Sequence, residues 1–224
     1  MASFWSDVER RQFDAEGQGQ ISLKSEEGGK IIELLRAKCG SEIKTIVEIG
    51  TWNGLGSTLC ILNGMEGHES VRFWSLECNK EKHEAALESL EHILDDRTKL
   101  LWGSIIDRDH IQSKAYLAHF PELESSEQLQ HWFQVDLSNC LVAPQVLKDL
   151  PEKIDFLLLD GGEFTTLHEF SLLFSRCVGY IALDDTKLDK CKEIRNLLTG
   201  LFEWGEIVSL NTRNGFSIFK RISL

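Results

Sequence analysis

The chain has 224 residues, of which 42% are hydrophobic and 27% are charged, as expected for one globular domain with a sizeable core. Its net charge of −12 argues against non-specific binding to nucleic acid, which needs clustered Lys and Arg. No apolar run approaches the roughly 18 residues of a membrane span. The N-terminal sequence also lacks the basic start of a signal peptide, so we expect neither segment.

In chain order, residues 1–24 mix aromatic, charged and glycine residues. We expect this lead-in to fold over a site or to contact a second copy in a homo-oligomer; a partly ordered tail is the alternative. Ile31, Leu34 and Leu35 then lie at helical spacing before Gly40, which predicts a helix over residues 25–38. Strands are predicted at 45–50, 71–77 and 98–103, and helices at 56–63 and 79–94.

The alternation of strands and helices is interrupted between residues 105 and 152. We expect an insertion near the substrate site, with one or two helices and an extra strand or turn around 132–136, in which Trp132 is a candidate for stacking on substrate. A surface elaboration without a catalytic role is the alternative. Strands at 154–160 and 179–185 and helices at 165–176 and 188–198 follow.

The C-terminal residues predict a hairpin, because Asn214-Gly215 separates β runs at 206–210 and 216–222. Strands that alternate with helices indicate βαβ units and a parallel sheet. We therefore predict a single α/β domain over residues 1–224. Its core would be a Rossmann-like, doubly wound, seven-stranded sheet, mostly parallel, with an antiparallel C-terminal hairpin.

The six cysteines are scattered and form no Cys-x-x-Cys pair. This pattern predicts reduced thiols in a cytoplasmic protein and argues against a zinc site.

Acidic residues close four of the predicted strands: Glu48 before Gly50, Glu77, Asp160, and Asp184 with Asp185. Parallel strands bring their carboxyl ends to one edge of the sheet, where such folds bind ligands. Glu77 follows the glycine loop by about 20 residues, the spacing of a carboxylate that accepts hydrogen bonds from ribose hydroxyls.

The glycine loop itself does not match a dinucleotide site. Trp52 occupies the position where the G-x-G-x-x-G pattern needs its second glycine, and Glu48 would repel a pyrophosphate. Glu48 suits a positively charged nucleoside instead. The two acids together favour S-adenosylmethionine, whose sulfonium and amino groups are cationic.

The segment Val47-Glu48-Ile49-Gly50-Thr51-Trp52-Asn53-Gly54 resembles motif I of class I S-adenosylmethionine-dependent methyltransferases, in the form found in small-molecule O-methyltransferases. Glu77, Asp160-Gly161-Gly162 and Ala182-Leu183-Asp184-Asp185-Thr186 are similar to the motifs that follow strands two, four and five in that family. The resemblance implies contacts with the cofactor for ten residues. They are Glu48, Gly50, Thr51, Asn53, Gly54, Ser57, Glu77, Cys78, Ser104 and Asp160.

In metal-dependent members of the family, the acids that match Asp160, Asp184 and Asp185 bind a divalent cation, for which oxygen ligands favour Mg²⁺. The ion would lower the pKa of a substrate hydroxyl. Asp160 is thus also a catalytic candidate. Glu163 replaces the histidine of the related pattern, so His168 is a candidate for a substitute base. The alternatives are that the acids cap a helix and that His168 is an exposed or helix-capping residue.

The sequence therefore predicts methyl transfer from S-adenosylmethionine, with a small-molecule hydroxyl as the acceptor and a divalent metal as an optional partner. Two alternatives stay open at this point. One is a metal-dependent hydroxylase or another nucleoside-ligand enzyme on the same scaffold. The other is a catalytically inactive binding protein.

Overall fold

The computed structural model describes residues 21–222, so most of the predicted lead-in lies outside the described residues. The helices, in chain order, are α1 (Glu26–Lys38), α2 (Ser57–Gly64), α3 (Lys80–Leu90), α4 (Arg108–Ile111), α5 (Lys114–Leu117), α6 (Glu127–Val142), α7 (Thr166–Leu173) and α8 (Asp189–Gly200). The strands are β1 (Thr45–Ile49), β2 (Arg72–Glu77), β3 (Thr98–Trp102), β4 (Ile154–Leu159), β5 (Cys177–Asp184), β6 (Trp204–Leu210) and β7 (Phe216–Arg221).

The strands form one seven-stranded sheet in the order β3-β2-β1-β4-β5-β7-β6. The first five are parallel, and β7 pairs antiparallel with both β5 and β6. The predicted fold is therefore confirmed. The strand order reverses between β1 and β4, and this switch point is where ligands bind in open α/β sheets.

Alternate residues of the central strands pack on opposite faces of the sheet, as the two-residue period of a strand requires. On β4, Phe156 and Leu158 pack against the side that carries α1 and α2, whereas Leu157 and Leu159 pack against α7 and α8. All four side chains are fully buried. Both faces of the sheet are thus covered by helices. The side that they leave open is the one at which the parallel strands end.

The insertion is helical, and the strand or turn expected around residues 132–136 was wrong. Those residues lie in the middle of α6, which Ser126 caps by accepting a hydrogen bond from the Leu129 N–H. Phe133, Leu137 and Cys140 recur at helical spacing and are buried in a small core of the insertion. Trp132 and Phe133 favour a strand by residue type. Burial of side chains at helical spacing stabilises the helix instead.

The C-terminal hairpin turn rests against the end of β5. The Gly215 N–H donates to the Thr212 carbonyl at 2.8 Å, and Gly215 has a φ of +87°. The Thr186 and Lys187 N–H groups donate in turn to the Gly215 and Asn214 carbonyls. This docking places Arg213 beside the acidic end of β5. Among the described residues, no helix has the length and apolar composition needed to cross a bilayer.

Candidate active site

A cavity of about 450 Å³ opens at the switch point between β1 and β4. Its walls are the loop after β1, the end of β2, the loop after β4, the end of β5 and the first turn of α8. Helix α6 of the insertion closes one side with Val135, Asp136 and Asn139. Its volume falls in the range of about 300–1,000 Å³ that small-molecule sites occupy.

The glycine loop lies tightly against the neighbouring strand. Gly50 has a φ of +99°, and a Cβ there would lie 2.0 Å from the Asp160 carbonyl oxygen. A Cβ on Gly54, with a φ of +78°, would lie 2.7 Å from a methyl group of Leu90. Only glycine fits either position without movement of the backbone or core. Gly50 and Thr51 line the cavity, and their N–H groups donate to the Leu76 carbonyl.

Three of the predicted cofactor residues shape the loop from behind and do not line the cavity. Glu48 is fully buried, and its carboxylate accepts hydrogen bonds from Ser57 Oγ at 2.6 Å and Thr58 Oγ1 at 2.7 Å. Burial raises the pKa of Glu48 to about 7. Asn53 accepts from the Leu55 N–H, and Gly54 packs on α3. These residues hold the loop in place, so that Gly50, Thr51 and Ser57 line the cavity.

Glu77 presents its carboxylate to the cavity from the end of β2. Its two oxygens accept hydrogen bonds from the Trp52 N–H at 2.7 Å and the Asn79 N–H at 2.8 Å. Burial raises the pKa of Glu77, while these amides act in the opposite direction. The carboxylate is therefore held in place before any ligand arrives. Cys78 lines the cavity next to it.

Ser104 contributes to the strand edge rather than to the cavity surface. It is buried, its N–H donates to the Pro144 carbonyl, and its carbonyl accepts from the Val146 N–H. Gly103, immediately before it, lines the cavity instead. A Cβ on Gly103 would lie 2.5 Å from a methyl group of Val146, so this wall is also closely packed.

The three acids predicted to bind metal do converge. Carboxylate oxygens of Asp160, Asp184 and Asp185 lie within 4.8 Å of one another, and all three residues line the cavity. Burial and the two neighbouring carboxylates raise the pKa of Asp184 to about 8. Sequence reasoning therefore placed these groups at the same edge of the sheet.

Two basic side chains from elsewhere in the chain already pair with these acids. Lys190 Nζ lies 2.8 Å from Asp160 Oδ1 and 3.1 Å from Asp185 Oδ2, and Arg213 Nη2 lies 3.2 Å from Asp184 Oδ2. Burial opposes the ammonium, but the carboxylates of Asp160 and Asp185 outweigh it and raise the pKa of Lys190. In this arrangement the three acids do not fit a divalent cation, because each of them is already bonded to a positive charge.

His168 is not brought to the acids. Its Nε2 accepts a hydrogen bond from the Asp107 N–H at 3.2 Å, and its ring stacks on His110 with 4.2 Å between centroids. Burial lowers the pKa of His168. The neighbouring residue on α7, Glu169, lines the cavity, whereas His168 contacts Asp107 and His110 of the insertion. His168 is thus buried beside the insertion, is not exposed and does not line the cavity, and its role as a base stays a prediction.

Sequence reasoning missed four charged residues that line the cavity: Asp136, Glu169, Lys190 and Arg213. Burial raises the pKa of Asp136 to about 6 and that of Glu169 well above its usual value. Glu169 Oε2 is buried and has no hydrogen-bond partner among the described residues. Lys190 alone carried a sequence signal, since it follows Asp185 by five residues, in the first turn of the next helix.

The charges that face the cavity are unbalanced. Within the described part of the chain, six carboxyl groups line it against two basic side chains. The acids are Glu77, Asp136, Asp160, Glu169, Asp184 and Asp185. Buried carboxyl groups with raised pKa values are stabilised in their charged form by a nearby cation. The site therefore suits a positively charged ligand.

The sequence matches no protein-family profile and no curated protein. Solved structures match over nearly the whole chain. An O-methyltransferase from Bacillus cereus in complex with S-adenosylhomocysteine aligns with a TM-score of 0.61 and 16% identity, over 98% of this chain and 91% of its own. A methyltransferase from Podospora anserina, also bound to S-adenosylhomocysteine, aligns with a TM-score of 0.62 and 13% identity, over 97% and 87%.

A third structure, from Corynebacterium glutamicum, aligns with a TM-score of 0.65 and 12% identity, over 98% of this chain and 91% of its own. At identities this low, the three structural alignments show a shared fold and no more. This result agrees with the strand order and with the resemblance carried by the glycine loop. The chain thus has the fold of the class I S-adenosylmethionine-dependent methyltransferases.

Proposed function

We propose that this protein transfers a methyl group from S-adenosylmethionine to a hydroxyl oxygen of a small molecule. The observation that carries the proposal is the excess of carboxyl groups in the switch-point cavity, with Glu77 fixed at the end of β2 by two backbone N–H groups. A sulfonium nucleoside has a ribose for Glu77 and a positive charge for the remaining acids. The bound S-adenosylhomocysteine of two structures with this fold supports the same cofactor.

When bound, the cofactor would supply an electrophilic methyl group for transfer to the acceptor oxygen. The protein contributes position and charge. Glu77 would accept hydrogen bonds from the ribose, while Asp136 and Glu169 would balance the positive charge of the cofactor. Gly50 and Thr51 allow the backbone to approach it closely.

The acceptor hydroxyl would be bound next to the end of β5. Asp185 Oδ1 is buried and has no hydrogen-bond partner among the residues that the structure describes, so it can accept a hydrogen bond from that hydroxyl. Asp160, at the end of β4, is held by Lys190 on the same side of the cavity. Divalent-metal assistance is not part of the proposal, because Lys190 and Arg213 already pair with the three acids.

Calorimetric titration with S-adenosylmethionine and S-adenosylhomocysteine tests the cofactor. We expect one site per chain for each. Absence of binding and of any thermal shift at millimolar ligand would remove the proposal. Incubation with radiolabelled methyl donor and a panel of hydroxylated aromatic and aliphatic compounds then tests the transfer. Cofactor binding without transfer to any acceptor would favour an inactive binding protein, and acceptor turnover without the methyl donor would favour a hydroxylase.

The remaining hypotheses from the sequence stay predictions. They are a cytoplasmic location, a homo-oligomer, and roles for the lead-in and for Trp132, which is 45% exposed on α6 and does not line the cavity.

A further inference from the structure

The acids at the ends of β4 and β5 surround an ammonium group that belongs to the chain itself. Lys190 Nζ donates to Asp160 Oδ1 at 2.8 Å and to Asp185 Oδ2 at 3.1 Å. Its side chain is only 7% exposed. Two of the three carboxylates that would hold a divalent cation therefore share one buried positive charge.

The backbone of Lys190 is fixed in several ways. Its N–H donates to Glu163 Oε1 at 3.3 Å, and Glu163 follows β4 in the loop that also carries Asp160. The following residues of α8, Cys191, Ile194 and Leu198, are fully buried against the sheet. Helix α8 cannot slide away from the acids without exposing this core. The Lys190 ammonium is thus held in the site by the surrounding structure, unlike that of a mobile lysine on the surface.

Arg213 completes the arrangement from the other side. The hairpin turn docks on residues 184–187, and Arg213 Nη2 lies 3.2 Å from Asp184 Oδ2. Its Nε and Nη1 are buried and have no hydrogen-bond partner among the described residues. Three carboxylates therefore face two cations, which leaves this corner of the cavity with about one negative charge when all five groups are ionised.

We propose that Lys190 replaces the divalent metal of this site, so that the protein's methyl transfer is independent of metal. A Mg²⁺ ion would need oxygens of these carboxylates at about 2.0–2.1 Å, and Lys190 already binds one oxygen of Asp160 and one of Asp185. The metal would also have to displace or repel a buried like charge. The part of the inference that concerns methyl transfer rests on the proposed function, whereas the exclusion of metal does not.

Electron paramagnetic resonance of free Mn²⁺ tests the exclusion directly, since bound Mn²⁺ loses its free signal. We expect the wild-type chain to leave Mn²⁺ free at millimolar concentration. We expect Lys190→Ala to bind one Mn²⁺ with an affinity about 10- to 1,000-fold higher than that of the wild type. This is the range over which one charge within about 4–6 Å shifts an equilibrium. The double variant Lys190→Ala with Asp185→Asn should lose that site.

Lys192→Ala is the matched control, because Lys192 lies on the same helix and is exposed. It should behave like the wild type. The wild-type measurement decides the question even where Lys190→Ala folds poorly: stoichiometric Mn²⁺ binding that Asp160→Asn or Asp185→Asn abolishes would overturn the proposal. Binding of S-adenosylhomocysteine is followed in the same samples. Its absence would count against the proposed function and would leave the metal result unaffected.

Discussion

The edge of the sheet that lines the cavity has two halves, built in different ways. On the β1–β2 half, Glu77 is held by backbone N–H groups of Trp52 and Asn79, both supplied by loops that directly follow these strands. On the β4–β5 half, Asp160, Asp184 and Asp185 are held by side chains from α8 and from the C-terminal hairpin. Backbone N–H groups fix the first half, and charged side chains fix the second.

The difference decides what each half can bind. Backbone N–H groups leave the Glu77 carboxylate with a free lone pair on each oxygen, so it can still accept hydrogen bonds from ribose hydroxyls. Lys190 and Arg213 neutralise much of the negative charge of the second half. Less carboxylate charge is therefore available to coordinate a metal. Carboxyl groups at neighbouring strand ends therefore stay available to a ligand in one place and form an internal ion-pair network in the other.

Gly50 joins the two halves, and its replacement should have the largest effect. In Gly50→Ala the new Cβ would lie 2.0 Å from the Asp160 carbonyl oxygen, at a φ of +99°. We expect a loss of about 3 kcal/mol or more in unfolding free energy, since backbone atoms must move. Urea denaturation followed by circular dichroism measures it, together with binding of S-adenosylhomocysteine.

Gly67→Ala is a matched control for that variant. Gly67 also has a positive φ, +79°, but a Cβ there would meet nothing within 4 Å. It should lose only about 1–2 kcal/mol, the cost of the left-handed conformation. Equal losses in the two variants would show that the contact between the glycine loop and Asp160 is unimportant.

Glu77→Gln weakens the first half and leaves the second intact. The amide keeps the shape of the side chain but loses its charge and one acceptor. We expect the affinity for S-adenosylhomocysteine to fall about 10- to 100-fold, equivalent to the roughly 1.5–3 kcal/mol of hydrogen bonds to a charged group. Calorimetry measures the change. Glu88→Gln, on the exposed side of α3, should bind like the wild type; an unchanged affinity in Glu77→Gln would mean that the ribose is held elsewhere.

The sequence predicts features that depend on local patterns, but not those that depend on tertiary contacts. The strands and helices of the sheet, the hairpin and the position of Glu77 at a strand end follow from local patterns, because each depends on residues a few positions apart. The pairing of Asp184 with Arg213 joins residues 29 apart through the antiparallel β7, and Glu169 enters the cavity only through the rotation of α7. No spacing in the sequence shows these contacts.

Residue type alone also does not show where two of the candidate side chains point. His168 has the chemistry of a base, but the helix directs it toward His110 and Asp107. Glu48 has the charge to hold a cation, but three hydroxyl groups, from Ser57, Thr58 and Ser75, occupy its carboxylate. In both cases the orientation of one side chain decides its role, and orientation depends on tertiary packing.

The acidic wall contributed by α6 should give a smaller, pH-dependent effect. Burial raises the pKa of Asp136 to about 6, so its carboxyl group is neutral below that pH and charged above it. S-adenosylmethionine carries a sulfonium and S-adenosylhomocysteine does not, while their other ionisable groups are the same. The ratio of their affinities should therefore rise in favour of S-adenosylmethionine between about pH 5 and pH 7, by up to about tenfold.

Calorimetry with both ligands at several pH values measures this ratio, in which shared contributions cancel. Asp136→Asn cannot ionise, so its ratio should change less across the same range. Glu48→Gln is the comparison, because Glu48 has a pKa of about 7 but lies behind the loop, where its own carboxylate is bonded to hydroxyl groups. If Glu48→Gln flattened the pH dependence and Asp136→Asn did not, the sulfonium would be balanced from β1, as the sequence first suggested, rather than from the inserted helix.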